Sequence, residues 1–120
     1  METPELAELI RLFEGEPDTR YDDLHWPVGL HGFRLTRGVT TVLFSIDPSA
    51  AEAYVSLYVD DMEIVHIGRL RRLSHLTVVR DGSGGEGLRL WFRDNDIELL
   101  ELTTKPKIRV SWSPKPIGSW

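Results

Sequence analysis

The densest group of chemically versatile side chains is the stretch YDDLHWPVGLHGF, residues 21–33, which holds two aspartates, two histidines and a tryptophan. Carboxylates and imidazoles this close in sequence can share a metal ion or pass a proton, so Asp22, Asp23, His25 and His31 invite a metal centre or a catalytic corner. Their spacing argues against both. His25 and His31 stand six apart in a segment rich in Pro, Asp and Gly, whereas a helical metal pair stands four apart on one face. His66 and His75 complete no ligand motif. The chain has no cysteine, which excludes thiolate zinc sites, thiol nucleophiles and disulfides. The reading therefore assigns no metal, no cofactor and no catalytic residue.

The segment GSGGEG places Gly82, Gly84 and Gly87 in the spacing G-x-G-x-x-G. That spacing cradles phosphate where a strand enters and a helix leaves, because the helix N-terminus then points its N–H groups at the anion. Here the strand-like LRLWF follows, so a hairpin loop is expected instead. Asp94, Asp96 and Glu98 alternate and would share one face of an extended chain, as a hard-cation site requires, but the glycine and later glutamate of an EF-hand loop are missing. Asp and Asn form turns readily, and solvated turns are the expectation for Asp60, Asp61, Asp94 and Asp96. No G-x-S-x-G segment marks a serine nucleophile.

The elements that must position these groups follow from periodicity. Leu6, Leu9, Ile10 and Phe13 form one apolar stripe at helical spacing; Thr3 and Pro4 predict the N-terminus of that helix, and Gly15 with Pro17 its end. Residues 16–30 predict a loop. From His31 onward the period falls to two, in GFRLTRG, VTTVLFSI, AYVSLYV, MEIVHI, LSHLTVV, LRLWF, IELLELT and IRVSW. The short polar links between these runs leave no room for parallel crossovers. The fold class is α+β and mostly β: a short N-terminal helix (1–15), then a β-rich body (31–113) of about eight largely antiparallel strands. They form a curled sheet, sandwich or partly open barrel, with the helix over an edge or an open face. A Pro-rich tail (114–120) closes a single domain, 1–120.

Four Trp, four Phe and three Tyr within a 41% hydrophobic chain are enough for a packed core. The net charge is −5, and residues 1–23 alone carry eight acids against Arg11 and Arg20. Phosphate neutralisation needs a basic face, so nucleic acid is not the expected partner. No run approaches the ~18 apolar residues of a membrane span, and the glutamates of METPELAELIRLF do not suit a secretory signal; a soluble cytoplasmic protein without membrane contact is expected.

The order of these features resembles small bacterial immunity proteins of polymorphic toxin systems. A short N-terminal helix is followed by the loop FEGEPDTRYDDLHWP and then by consecutive strands, of which AYVSLYVDDMEIVHI and GLRLWF are the most similar in texture. The resemblance implies a non-catalytic module that binds and blocks one toxin. An acidic surface steers toward a basic toxin domain and aromatic anchors hold it. On this reading Asp22, Asp23, His25 and Trp26 form a docking corner, with Asp60, Asp61, Asp94 and Asp96 as a steering surface. Two other classes stay open: a small-molecule-binding or enzymatic small barrel whose pocket at one end gathers Tyr54, Tyr58, His66 and Arg89, and a self-associating structural subunit with an unpaired apolar edge strand.

Overall fold

The computed structural model describes residues 1–19 and 25–112, so the Pro-rich tail and residues 20–24 lie outside it. Helix α1 spans Leu6–Phe13 and buries Leu9, Leu12 and Phe13, with Leu6 and Ile10 half-buried beside them. The stripe read from sequence is thus the buried face. Its start differs from the Thr3-Pro4 expectation. Glu5 is the N-cap, without a side-chain cap bond, because Glu2 is engaged as an extended residue: its N–H donates to Ser74 O (3.0 Å) and its C=O accepts from Leu76 N (2.9 Å). The chain cannot coil until that contact is behind it. At the other end Glu14 turns left-handed (φ 59°) and Gly15 N–H donates to Ile10 O.

Among the described residues nine strands follow: β1 (Asp18–Thr19), β2 (His31–Arg37), β3 (Thr40–Asp47), β4 (Glu52–Val59), β5 (Met62–Leu70), β6 (Leu73–Arg80), β7 (Glu86–Phe92), β8 (Leu100–Lys105) and β9 (Arg109–Ser111). The two-residue β1 falls inside the segment expected to be loop. Strand β8 begins at Leu100 and not at Ile97, since Asp94 folds the preceding residues into a turn by accepting Asp96 N–H and Ile97 N–H. Every ladder is antiparallel and joins sequence neighbours. The ladders form one sheet in the order β1-β2-β3-β4-β5 and another in the order β6-β7-β8-β9. Among the described residues no ladder joins the two sheets, so the strands stack as an open sandwich and do not close into a barrel.

Period-two alternation decides which side chains meet between the sheets. Phe33, Leu35, Val42, Phe44, Ile46, Ala53 and Val55 come from the first sheet, and Leu73, Leu76, Leu88, Leu90, Leu100 and Leu102 from the second; all are buried. Phe13 of the helix lies 5.1 Å from the Phe33 ring and 5.7 Å from the Phe44 ring, so α1 is packed into the first sheet's inner face. At one end of the molecule Arg37 ties three elements together. Its Nη2 donates to Glu14 after the helix (2.5 Å) and its Nε to Thr104 O in β8 (2.7 Å). The Arg37 hydrogen bond holds the Glu14 carboxyl below its ordinary pKa.

Two substitutions test this packing. Phe44→Ala removes a fully buried ring and is expected to lower unfolding free energy by about 3–5 kcal/mol in urea titration. Gly87→Ala places a Cβ 2.6 Å from the Leu102 carbonyl oxygen, a backbone atom that cannot swing away. It is expected to cost about 1–3 kcal/mol by the same measurement, whereas Gly82→Ala, which meets nothing within 4 Å, is expected to be close to neutral.

Candidate functional site

Strand β7 leaves the second sheet at Phe92, and the chain loops through residues 93–99 before re-entering as β8. Below this loop is a groove of about 600 Å³ whose walls include Trp91, Phe92, Trp112, Asp94, Glu98 and Glu101. Trp91 and Phe92 are adjacent at the end of β7, and both line the groove. Phe92 stacks on Trp112 (5.9 Å, 21°), and the Trp112 indole N–H donates to Glu98 O (3.0 Å), which fixes one wall. Trp91, also in the lining, stacks on His75 (5.2 Å) and donates to Thr77 Oγ1 (3.0 Å). Among the described residues the lining carries carboxylates and aromatic rings and no Lys, Arg or His. Such a groove suits a cationic side chain, attracted by the carboxylates and by the ring faces.

Of the residues singled out in the sequence, Asp94 lines this groove and Asp96 is exposed in the same loop. Asp60 and Asp61 close the β4–β5 hairpin with φ of 51° and 65°, the paired left-handed conformation of a tight two-residue turn. They lie at the end of the first sheet where β3 begins. The loop carrying Asp94 and Asp96 follows Arg93, whose N–H donates to Arg72 O just beyond the far end of β5. The two acidic turns are therefore at opposite ends of the molecule. Asp22 and Asp23 lie outside the described residues. His25 is exposed, and its carbonyl accepts Val28 N–H. Trp26 is half-buried: its indole donates to Pro4 O (3.2 Å), and its edge meets His31 and Phe33. His31 is buried, with Nε2 bonded to Val28 O (2.7 Å).

Tyr54, Tyr58 and His66 share the outer face of β4 and β5, where Ser56 pairs with His66 and Tyr58 with Glu63. Arg89 is in β7 of the other sheet, in an ion pair with Glu101 (3.6 Å), and does not join them. Ser56, His66 and Glu63 have the composition of a nucleophilic triad but not its wiring. Ser56 Oγ (2.7 Å) and Glu63 Oε1 (3.8 Å) both approach Nδ1, whereas a relay needs the serine and the acid at opposite ring nitrogens. Among the described residues no group of three or more His, Asp or Glu is placed to hold a metal ion.

The glycine-rich loop is already occupied by the chain's own anion. Asp81 Oδ1 accepts Ser83 N–H (2.9 Å), Ser83 Oγ–H (2.8 Å) and Gly85 N–H (2.9 Å), so these donors face a carboxylate within the hairpin. What sequence reasoning missed is the groove itself, since Trp91 in β7, Glu101 in β8 and Trp112 just after β9 share no motif. The nearest signal was aromatic residues beside acids in LWFRDNDIE, residues 90–98.

The fold can be compared with known proteins. No family model and no curated sequence matches the chain. Among solved structures it is similar to a chain of the contact-dependent growth inhibition toxin–immunity protein complex from Klebsiella pneumoniae 342. The TM-score is 0.77 and the identity 18%, over 93% of this chain and 95% of that one. The two share a fold, and the complex belongs to the class of toxin and immunity systems to which the sequence resemblance pointed. No helix among the described residues is long and apolar enough to cross a membrane.

The Asp81 hairpin gives a pH prediction. The hydrogen bond from the Ser83 hydroxyl, with those from the Gly85 and Ser83 amides, holds its carboxyl below the ordinary aspartate value. A depressed folded-state pKa contributes stability above the unfolded value of about 3.9, and that contribution is lost as pH falls through the folded value. Asp81→Asn is expected to melt at a lower temperature than wild type at neutral pH. The gap is expected to close as the pH is lowered below the unfolded value, in a series of thermal melts.

Proposed function

We propose that this chain is a non-catalytic toxin-binding module of the immunity-protein type, which blocks a basic bacterial toxin domain through an acidic and aromatic surface. The observation that carries the reading is the fold shared across nearly the whole length with a chain of a toxin–immunity complex. The groove at the end of the second sheet supports it, because carboxylates beside Trp91, Phe92 and Trp112 suit an arginine or lysine presented by a partner. A net charge of −5 favours fast encounter with a basic surface. On this reading Asp94 and Asp96, with Asp60 and Asp61, are the steering surface, and Asp22, Asp23 and His25 belong to a docking corner. Trp26 belongs to the same docking corner through its exposed part, while its indole N–H is committed to Pro4.

The test is expression in a bacterial host, alone and together with the basic toxin domain that this reading assigns to it as partner. The chain alone is expected to leave growth unchanged, and together the two are expected to restore growth and co-purify as a 1:1 complex. Growth arrest by the chain alone, or arrest by the toxin that the chain does not relieve, overturns the reading. Asp96→Lys with Glu98→Lys is expected to slow association about ten-fold or more at low salt, with the difference shrinking as salt is added. An unchanged rate removes the groove from the interface.

A further inference from the structure

Among the described residues, three of the four sheet edges are short or covered. Strand β1 shields β2 over two residues, Glu2 bridges onto β6 at His75, and β9 is three residues long. Strand β5 differs: it is nine residues long, ends its sheet, and carries exposed Met62 (72%), Ile64 (57%) and Val65 (36%). A long edge of unpaired N–H and C=O groups with apolar side chains is a template for another strand.

The sequence around this edge says which strand. In DDMEIVHIGRLRR, residues 60–72, the charges are mirrored with opposite sign about His66. Asp60, Asp61 and Glu63 precede it by six, five and three residues; Arg72, Arg71 and Arg69 follow it by six, five and three. Val65 and Ile67 flank the centre, and Met62 matches Leu70 in the same way. The irregularities in the β4 ladder share the symmetry: Ile64 is the extra residue on one side, and Gly68 with Arg69 on the other.

We propose that β5 pairs antiparallel with β5 of a second copy of this chain about a twofold axis at His66, joining the two five-stranded sheets edge to edge. The regular stretch Val65–Ile67 forms the centre. Each copy's Asp60 and Asp61 then face the other's Arg71 and Arg72, and exposed apolar side chains near the centre are covered at the same time. Among the described residues none of these four charges is in an ion pair, whereas Arg69 already holds Glu52 at 2.9 Å. Parallel pairing would set acid against acid and arginine against arginine, so the charges also choose the direction. A strand from an unrelated partner would need no such internal antisymmetry. The inference concerns a surface other than the groove and does not rest on toxin binding.

Sedimentation velocity of the full chain up to about 1 mM tests it, since a strand-edge contact is small and its affinity modest. The wild type is expected to move from a 13.7 kDa monomer to a species of twice that mass, less readily at high salt. Asp60→Lys with Asp61→Lys gives a chain basic at both ends of β5, and Arg71→Asp with Arg72→Asp gives one acidic at both ends. Each alone is expected to dimerise about ten-fold more weakly or worse, and an equal mixture of the two is expected to recover a heterodimer. Asp60, Asp61 and Arg72 have positive φ, so melting checks the fold of both variants, and aspartate at 72 suits that conformation better than lysine does at 60 and 61. The arginine variant alone carries the test should the lysine variant fail to fold. A wild type that stays monomeric overturns the proposal. So does a dimer that survives the arginine substitutions, because another surface then holds it.

Discussion

Everything else in this fold depends on Phe13. Among the described residues the two sheets share no ladder, so what holds them in register is the apolar layer between them, to which α1 contributes Leu9, Leu12 and Phe13. Rings at 5.1 and 5.7 Å from Phe13 give the helix a fixed seat on Phe33 and Phe44. Stacked or offset rings bury large areas and resist sliding, because any shift opens voids that close-packed interiors cannot fill. The polar contacts act on that seat from outside. Trp26 holds Pro4 before the helix, Arg37 holds Glu14 after it, and Glu2 pins the N-terminus to β6. With helix and sheets fixed, the loop at residues 93–99 has a rigid base, and the groove beneath it keeps its shape.

The acidic residues divide by where their oxygens point. Asp47 and Asp81 each accept an amide N–H two to four residues further on and so are spent on bending the chain, and Asp94 accepts Asp96 N–H through one oxygen while it also lines the groove. Such bonds explain why spacings that resemble cation loops or phosphate cradles produce turns here. Asp60 and Asp61 shape a turn with their backbones alone and leave their carboxylates outward. Glu98 and Glu101 line a groove with aromatic walls. At these turns and in the groove the chain can meet a partner without loosening its own hairpins.

Sharing a fold at 18% identity is physically unsurprising for a meander of this kind. Its architecture asks for alternation of apolar and polar positions, short turns between neighbours and a helix with one apolar stripe. Many residue sets of similar volume meet those demands. Surface chemistry is under no such demand, which is why the groove, the acidic turns and the β5 edge must be argued from this chain's own residues.

Much of the architecture was legible in the sequence. The helical stripe, eight period-two runs and polar turns too short for crossovers determined one helix and consecutive antiparallel strands, because local periodicity sets which face of each element is apolar. The charge antisymmetry of residues 60–72 is also written in the sequence, although nothing marks it as a surface until β5 is known to end its sheet. Tertiary structure alone decided the split into two sheets, the delayed starts of α1 and β8, and the separation of Arg89 from Tyr54, Tyr58 and His66. It alone assembled the groove from Trp91, Glu101 and Trp112. The reason is range: these arrangements rest on contacts between segments far apart in the chain, such as Glu2 with Ser74 and Arg37 with Thr104, and no local pattern encodes them.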